Sequence, residues 1–158
     1  MQQLTEEQLL AAPSGHSNSI AVIVNHLRGN MLSRWTNFLK EDGEKAWRQR
    51  DREFTAELSS ASEVEHAWKE GWDCLFAALS PIQSSQLSQI VYIRNEGHTV
   101  LEAINRQLTH YSYHLGQIVF LAKHWRGEDW QYLSIPPGGS GGYNQQKFDR
   151  DRDRWHFV

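Results

Sequence analysis

Two histidines spaced four residues apart are the strongest candidates for chemistry in this chain of 158 residues. His110 and His114 lie in a segment with helical periodicity, where residues four apart share one face and their Cβ atoms lie about 5–6 Å apart. Two imidazole nitrogens so placed can bind one divalent metal ion at about 2.0–2.1 Å. The spacing alone is equally compatible with a polar patch or a hydrogen-bonded pair of core histidines. No glutamate follows His110, so the pattern is not the HExxH pattern of zinc proteases.

A third histidine supplies a candidate ligand from a different predicted helix. His26 lies on the side of that helix away from Leu27 and Met31, one turn before Gly29. A small residue one turn from a buried polar group leaves room for a neighbouring side chain or a ligand. The other interpretation is an interior histidine whose hydrogen bonds are satisfied within the core.

Other polar residues could assist such a site. Gln117 follows His114 by three residues and could orient a ligand or a bound water, or make a hydrogen bond between helices. Arg50, Asp51 and Glu53 could receive an anionic substrate or supply a base. A run of charges is more often solvated surface, and the sequence favours that interpretation for these three residues. His98 is a reserve ligand, and the histidines without a partner spacing are His16, His66, His124 and His156.

The helices that position these residues are predicted from apolar periodicity and from their starting signals. They span about 5–12, 19–40, 62–80 and 99–125, and an extended connector or minor strand covers 89–94. Three of them begin with the pattern of a capping box, at Thr5, Ser62 and Thr99.

The last of these helices carries two stripes that are not typical of a surface. The apolar stripe consists of Leu101, Ile104, Leu108, Leu115, Ile118 and Ala122. The second stripe contains both histidines, with Ala103, Gln107, His110, His114, Gln117 and Leu121. A helix with two such stripes is packed on several sides, as in a helical bundle.

The composition excludes several classes of function. The formal net charge of −3 lacks the basic footprint of a general nucleic-acid-binding protein. Cys74 is the single cysteine, so it cannot form an intramolecular disulfide or a cysteine-rich zinc site. The longest apolar run, Ile20 to Val24, is far shorter than the roughly 20 residues of a membrane span. Because the N-terminus also lacks the pattern of a signal peptide, we expect a cytoplasmic protein that does not insert into a membrane.

The C-terminal region has a different character from the rest. The Pro/Gly-rich segment at 136–142 is predicted to be irregular, and the residues from Asp149 to Arg154 alternate acids and bases. We therefore expect a helical domain at 1–146 and a charged tail at 147–158. The glycines around Ser140 match the G-x-S-x-G pattern of hydrolases, but that motif requires a strand before it and a helix after it, and neither is predicted here.

The histidines and their flanking residues resemble a known family. The matching segments are Asn18-Ser19-Ile20, His26-Leu27-x-Gly29-Asn30, Arg50-Asp51-x-Glu53-Phe54 and Ala103-Ile104-Asn105-Arg106-Gln107-Leu108-x-His110-Tyr111-x-x-His114-x-Gly116-Gln117-Ile118. Together they resemble the DinB-like (YfiT-like) metal-dependent superfamily, and most of all a branch of it without an assigned activity. The resemblance covers about residues 4–145 and leaves the charged tail outside.

This resemblance implies an all-α, four-helix bundle that holds a divalent metal, nickel or zinc, through His26, His110 and His114. Three protein ligands leave a coordination position open, as in catalytic rather than structural zinc sites. Some relatives transfer low-molecular-weight thiols such as bacillithiol, or use mycothiol. We therefore expect a metal-dependent transferase acting on a small-molecule substrate, with Gln117 and Glu53 as candidates for a catalytic role. Arg50 is a further candidate.

Other functions stay open. The chain could be a non-catalytic stress protein that binds a metal or small ligand, a metal-dependent hydrolase, or an interaction module with exposed tryptophans. Trp68 and Trp72 lie on an apolar stripe, which favours a place in the core. The first predicted helix is short where the family opens with a long one. Either the start is truncated or a second subunit completes the bundle, so we expect a homodimer.

Overall fold

The computed structural model describes residues 1–152, which are mostly helical. The α-helices are α1 (Glu6–Leu10), α2 (Ile20–Trp35), α3 (Ala61–Leu79), α4 (Val100–Arg126) and α5 (Ser140–Phe148). Strands β1 (Ile90–Ile93) and β2 (Glu96–Thr99) form an antiparallel hairpin, and short 3₁₀ helices span Arg50–Phe54, Ser84–Gln86 and Gly127–Asp129. The predicted helical class is confirmed, and the hairpin adds a small sheet to it. None of the described helices has the length and apolar character to cross a membrane.

Helix α2 is the centre of the first of two compact units, Met1–Gly127. It packs along α3 and also contacts α1, α4 and the 3₁₀ helix Arg50–Phe54. Its predicted apolar face is confirmed as core: Ile20, Ile23, Val24, Leu27, Met31 and Trp35 are all buried. Several polar residues of α2 are buried as well, because neighbours cover the helix on more than one side.

The end of α2 comes earlier than predicted. The helix was expected to continue to about residue 40, but it stops at Trp35 and Thr36 is extended. Asn37 then adopts a positive φ of 52°, a left-handed conformation that no α-helix can continue through. Phe38 is nevertheless buried, so the apolar periodicity extends beyond the helix and accounts for the error.

Helix α3 differs from the prediction in its start and in its buried face. Ser60, not Ser62, is the N-cap, and its side chain accepts the backbone N–H of Glu63. The buried face consists of Val64, Ala67, Gly71 and Leu75, while Trp68 and Trp72 are half-buried. Close packing of α3 against α2 explains the glycine: a Cβ at Gly71 would lie 2.9 Å from Met31 Sδ and 3.2 Å from Arg28 Cα.

A two-residue hairpin turn separates β1 from β2. Arg94 and Asn95 both have positive φ, 53° and 63°, as a type I′ turn requires. The Asp42 carboxylate accepts their two backbone N–H groups at 2.8 and 2.7 Å. The strand was anticipated as a possible minor strand at 89–94, but β2 was not predicted, because Glu96–Thr99 has little strand character.

Helix α4 matches its predicted range and its capping box at Thr99. The buried face, however, combines residues of both predicted stripes with two others: Val100, Ala103, Gln107, Tyr111, His114, Ile118, Leu121 and Ala122 are buried. On the predicted apolar stripe, Leu101 and Leu108 are exposed within the single chain, at 48% and 63% of their surface. The expectation that this stripe is core is therefore wrong for these two leucines.

The second compact unit begins at Glu128. Its helix α5 starts at Ser140, so the prediction of irregular structure throughout 136–142 is wrong for the last three residues of that segment. The expected domain boundary at 146/147 stays a prediction, although α5 runs across it. Residues 130–139, which lead directly into Ser140, contain no strand, which is unlike the hydrolase motif. The end of the expected tail, including His156, lies outside the described residues.

Candidate metal centre

The three predicted ligands come together between α2 and α4. His26 extends from α2, His110 and His114 extend from α4, and their closest ligand atoms all lie within 4.8 Å of one another. The Nε2 atoms of His26 and His110 are 3.3 Å apart. Two nitrogens bound to one tetrahedral zinc ion are separated by about 3.4 Å, so this pair fits a divalent metal in spacing, and three imidazoles fit it in chemistry.

The outer nitrogen of His26 is bonded to a carboxylate. Its Nδ1 donates to Glu53 Oε2 at 2.9 Å, and its ring stacks on Phe54 with centroids 4.6 Å apart. Both partners belong to the 3₁₀ helix Arg50–Phe54, which packs on α2. Glu53 is only 7% exposed, so the expectation of a solvated charge run is wrong for this residue. The prediction missed it because the loop was assumed to lie in water.

Glu53 is itself held by two bonds from one arginine. Arg48 Nε donates to Oε1 at 2.7 Å and Arg48 Nη2 donates to Oε2 at 2.9 Å. Glu44 accepts a further bond from Arg48 at 3.2 Å. Burial alone would raise the pKa of the Glu53 carboxyl, but the bonds from His26 and Arg48 outweigh it and hold that pKa below its usual value. Glu53 is therefore a carboxylate at neutral pH.

The absence of a side chain at Gly29 leaves the space that the Glu53 carboxylate occupies against α2. A Cβ at Gly29 would lie 2.4 Å from Glu53 Oε1 and 2.7 Å from its carboxyl carbon. The sequence indicated that Gly29 leaves room for a neighbouring side chain or a ligand. The neighbour is Glu53, which reaches His26 only because no side chain stands at Gly29.

His114 is oriented by the predicted residue Gln117. Its Nδ1 donates to Gln117 Oε1 at 2.8 Å, a contact along one helix rather than between helices. When Nδ1 of a neutral imidazole carries the proton, the lone pair is on Nε2. His26 and His114 are thus both held in the tautomer whose Nε2 can bind a metal, the arrangement common around metal-bound histidines.

The cluster favours the neutral form of His110 and His114. Burial, together with the neighbouring His114 and His26, lowers the pKa of His110 to about 4. Burial also lowers the pKa of His114, and His26 adds to the effect, while the bond with Gln117 opposes it. Neutral imidazole is the form that binds metal ions, so the site requires little deprotonation at neutral pH.

Two cavities flank the cluster. A cavity of about 190 Å³ is lined by His26 and His110 together with residues of α2 and α4. A larger cavity of about 560 Å³ is lined by Gln117, Tyr113 and Phe120, among others, but by none of the three histidines. The smaller cavity therefore gives the more direct access to the candidate metal position.

Comparison with known proteins places the chain in a family. A model of DUF1572, described as a protein of unknown function, matches residues 1–139. The chain belongs to the DUF1572 family. Neither the comparison with curated proteins nor that with solved structures found a match.

The remaining sequence candidates of this DUF1572 chain lie at the edge of the site or away from it. Arg50 and Asp51 are exposed, as the solvated interpretation predicts, and the Arg50 guanidinium lies 5.1 Å from the centre of the Phe54 ring. His98 lies on β2 and does not join the histidine cluster found among the described residues.

Sequence reasoning missed two buried residues on the helix that carries His26. Asn30 and Arg34 follow it at intervals of four and line the smaller cavity. The interval of four was visible in the sequence and places all three on one helix face.

Proposed function

We propose that this DUF1572 chain is a DinB-like protein that binds one divalent metal ion, nickel or zinc, through His26, His110 and His114. We further propose that it acts as a metal-dependent transferase of a low-molecular-weight thiol. The observation that carries the proposal is the convergence of three imidazoles from two helices, with a carboxylate behind one of them and an amide behind another. Structural histidine pairs do not require this second layer of contacts.

A reaction needs access to the ion as well as ligands for it. His26 and His110 line the cavity of about 190 Å³, so the cluster is reached from that side. A bound divalent ion would act as a Lewis acid and favour the thiolate form of a bound thiol. Cys74 is not a member of the cluster; its thiol donates to the Met31 backbone oxygen at 3.9 Å. The reacting sulfur therefore belongs to the substrate.

The second candidate function is a non-catalytic metal- or ligand-binding protein. The observation that favours it is the buried chain of contacts from Arg48 through Glu53 to His26, which ties a loop to the central helix. A metal ion at the end of such a network would stabilise the fold, because metal binding to the native state adds directly to folding free energy. A metal-dependent hydrolase is compatible with the same ligands and is an outcome of the activity test.

Metal titration of the purified full-length chain tests the site itself. We expect close to one zinc or nickel ion per chain by calorimetry and elemental analysis. His110→Ala should abolish this binding, whereas His66→Ala, an exposed histidine on α3, should leave it unchanged. No uptake by the wild-type protein, or equal uptake by His110→Ala, would refute the metal centre.

Activity assays separate the catalytic proposal from the non-catalytic one. The metal-loaded protein is incubated with monobromobimane and a panel of low-molecular-weight thiols, and thioether formation is followed by fluorescence. We expect a rate above the uncatalysed reaction that is lost on chelation and in His110→Ala. A rate unaffected by chelation refutes the metal-dependent mechanism. Metal binding that raises the melting temperature without any thiol transfer supports the non-catalytic function.

We also propose that the protein forms a homodimer. In the single chain, Leu101 and Leu108 of α4 and Phe76 of α3 expose about half or more of their surface. Apolar side chains seven residues apart lie on one helical face, so the two leucines form a stripe. A second copy of the chain could cover such a stripe, which supports the expectation drawn from the short helix α1.

A further inference from the structure

The small cavity beside the histidines is enclosed by polar stripes of two helices. Helix α2 contributes His26, Asn30 and Arg34, and α4 contributes Arg106, Gln107 and His110. At about 190 Å³ it is smaller than the roughly 300–1,000 Å³ pockets that hold whole drug-sized ligands. The cavity is therefore suited to one functional group of a substrate rather than to a large cofactor.

The lining of this cavity is strongly cationic. It contains five arginines, Arg34, Arg48, Arg50, Arg94 and Arg106, and no acidic residue. Acids outside the lining partly neutralise two of them: Glu53 and Glu44 pair with Arg48, and Glu44 also pairs with Arg94 at 3.3 Å. Among residues 1–152, neither Arg34 nor Arg106 forms an ion pair. Two positive charges at the cavity thus lack a direct ion-pair partner, although Glu44 and Asp42 lie close enough to interact with Arg34.

Of these two arginines, Arg34 gives the stronger indication of a missing ligand because it is buried. The residue is 4% exposed, and its Nε and Nη1 atoms have no hydrogen-bond partner within the described part of the chain. A Cβ at Gly43 would lie 2.6 Å from Nη1, so the loop closely covers the guanidinium. An unpaired charge that is removed from water is costly unless a ligand pairs with it. Burial and the nearby Arg48 lower the pKa of Arg34, and the attraction of Glu44 is too weak to offset them.

Gln107 adds a second unsatisfied atom at the same cavity. Its side-chain oxygen Oε1 is buried and has no donor among the described residues. Most buried polar atoms in folded proteins are hydrogen-bonded, so two orphaned groups at one cavity indicate a missing partner. Anionic oxygens of that partner would satisfy Arg34, and an O–H or N–H elsewhere on the same molecule would satisfy Gln107.

We infer that this cavity is the subsite for an oxyanion group, a carboxylate or phosphate, of the small-molecule substrate. Arg34 binds it from the buried side and Arg106 from the solvent side, while His26 and His110 place the candidate metal next to it. Guanidinium groups are well suited to this role, since they bind carboxylate or phosphate with two parallel hydrogen bonds. The inference rests on the proposed function only where it places another part of the substrate at the metal ion. Binding of an anion at the subsite does not require the ion.

Anion titration of the full-length chain tests the subsite. Inorganic phosphate and malonate are titrated separately into metal-free protein, so that neither can bind through an ion, and binding is followed by calorimetry. We expect saturable binding of at least one probe, and whichever binds identifies phosphate or carboxylate as the preferred chemistry. Arg106→Gln, on an exposed position of α4, should weaken it by about tenfold or more, the size of one charge-assisted hydrogen bond. Arg34→Met should weaken it at least as much.

Arg52→Gln is the matched control. Arg52 lies on the same 3₁₀ helix as Arg50 but lines a different cavity, so its variant should bind the probes like the wild type. Equal affinities in wild type, Arg106→Gln and Arg34→Met, or no saturable binding of either probe, would overturn the inference. Metal content is measured in parallel. Loss of anion binding with unchanged metal uptake in Arg106→Gln supports the subsite. Anion binding by a wild-type protein that takes up no metal refutes only the metal centre.

Discussion

Nδ1 of His26 donates to the Glu53 carboxylate at 2.9 Å, which joins a central helix to a loop 27 residues further along the chain. The contact lies in the interior, since both side chains are less than 10% exposed. A carboxylate in this position fixes the tautomer of the ring and increases the basicity of its other nitrogen. The properties of the candidate metal ligand therefore depend on how the loop folds against α2.

Glu53→Gln should reduce metal affinity without removing a ligand. The amide keeps an oxygen near His26 Nδ1 but loses the charge that stabilises a metal-bound imidazole. Changes in this second layer of contacts typically cost about 10–100-fold in affinity. Calorimetric titration with zinc measures the effect, and circular dichroism checks that the variant is folded. Glu65→Gln, on the exposed side of α3, is the control. An affinity equal to that of the wild type would show that Glu53 does not support the metal site.

Gly29→Ala should disturb the same contact by steric means alone. The new Cβ would lie 2.4 Å from Glu53 Oε1, so the carboxylate or the loop must shift. Overpacking of this kind costs about 1–3 kcal/mol, and we expect metal affinity to fall with the free energy of unfolding. In Gly116→Ala the Cβ meets nothing within 4 Å, so that control should be neutral or more stable by about 0.4–1 kcal/mol. A Gly29→Ala variant as stable as Gly116→Ala would contradict the argument.

The parts of the site that the sequence predicted are those set by short-range spacing. His110 and His114 are four residues apart on a helix whose range and capping box at Thr99 were both correct. Helical periodicity also placed His26 opposite Leu27 and Met31. The convergence of the two helices came from a family resemblance, because no local pattern states which helices are neighbours.

The parts that the sequence could not predict depend on contacts distant along the chain. The sequence around Glu53 is typical of a charged surface loop. Glu53 is buried only because this loop packs against α2 at Gly29. Arg34 reads as an ordinary helical arginine, and only the packing of Gly43 and the neighbouring helix makes it a buried, unpaired cation. Short-range patterns report secondary structure, whereas burial of charge is decided by tertiary packing.

The Asp42 carboxylate should stabilise the hairpin in a pH-dependent manner. It accepts the backbone N–H groups of Glu44, Arg94 and Asn95 at 2.7–2.8 Å. Burial is the largest single influence and raises the pKa of Asp42, but the three bonds together outweigh it and hold the pKa below its ordinary value of 3.8. A lowered folded-state pKa means that the stabilisation is complete above about pH 4 and is lost as pH falls through the folded value.

Asp42→Ala should therefore lower the free energy of unfolding, and the loss relative to the wild type should be larger at pH 7 than at acid pH. We expect a loss of about 1–2 kcal/mol at pH 7, measured by urea unfolding, that shrinks as the pH falls below 3.8 and through the lower folded-state pKa. Asp51, whose side chain is fully exposed, provides the control variant Asp51→Ala with little change at either pH. A difference independent of pH would mean that the carboxylate charge is not what holds the hairpin turn.

The exposed stripe of α4 leads to a prediction about assembly. If a second copy covers Leu101 and Leu108, Leu108→Glu places a charge in an apolar interface and should shift the protein to monomers in sedimentation velocity experiments at micromolar concentration. Phe120→Glu is the control, because Phe120 is also exposed, at 72%, but follows Leu108 by twelve residues and lies on another part of the helix surface. A monomeric wild-type profile would refute the dimer. Dissociation of both variants alike would place the interface elsewhere or show that any added charge on α4 disrupts it.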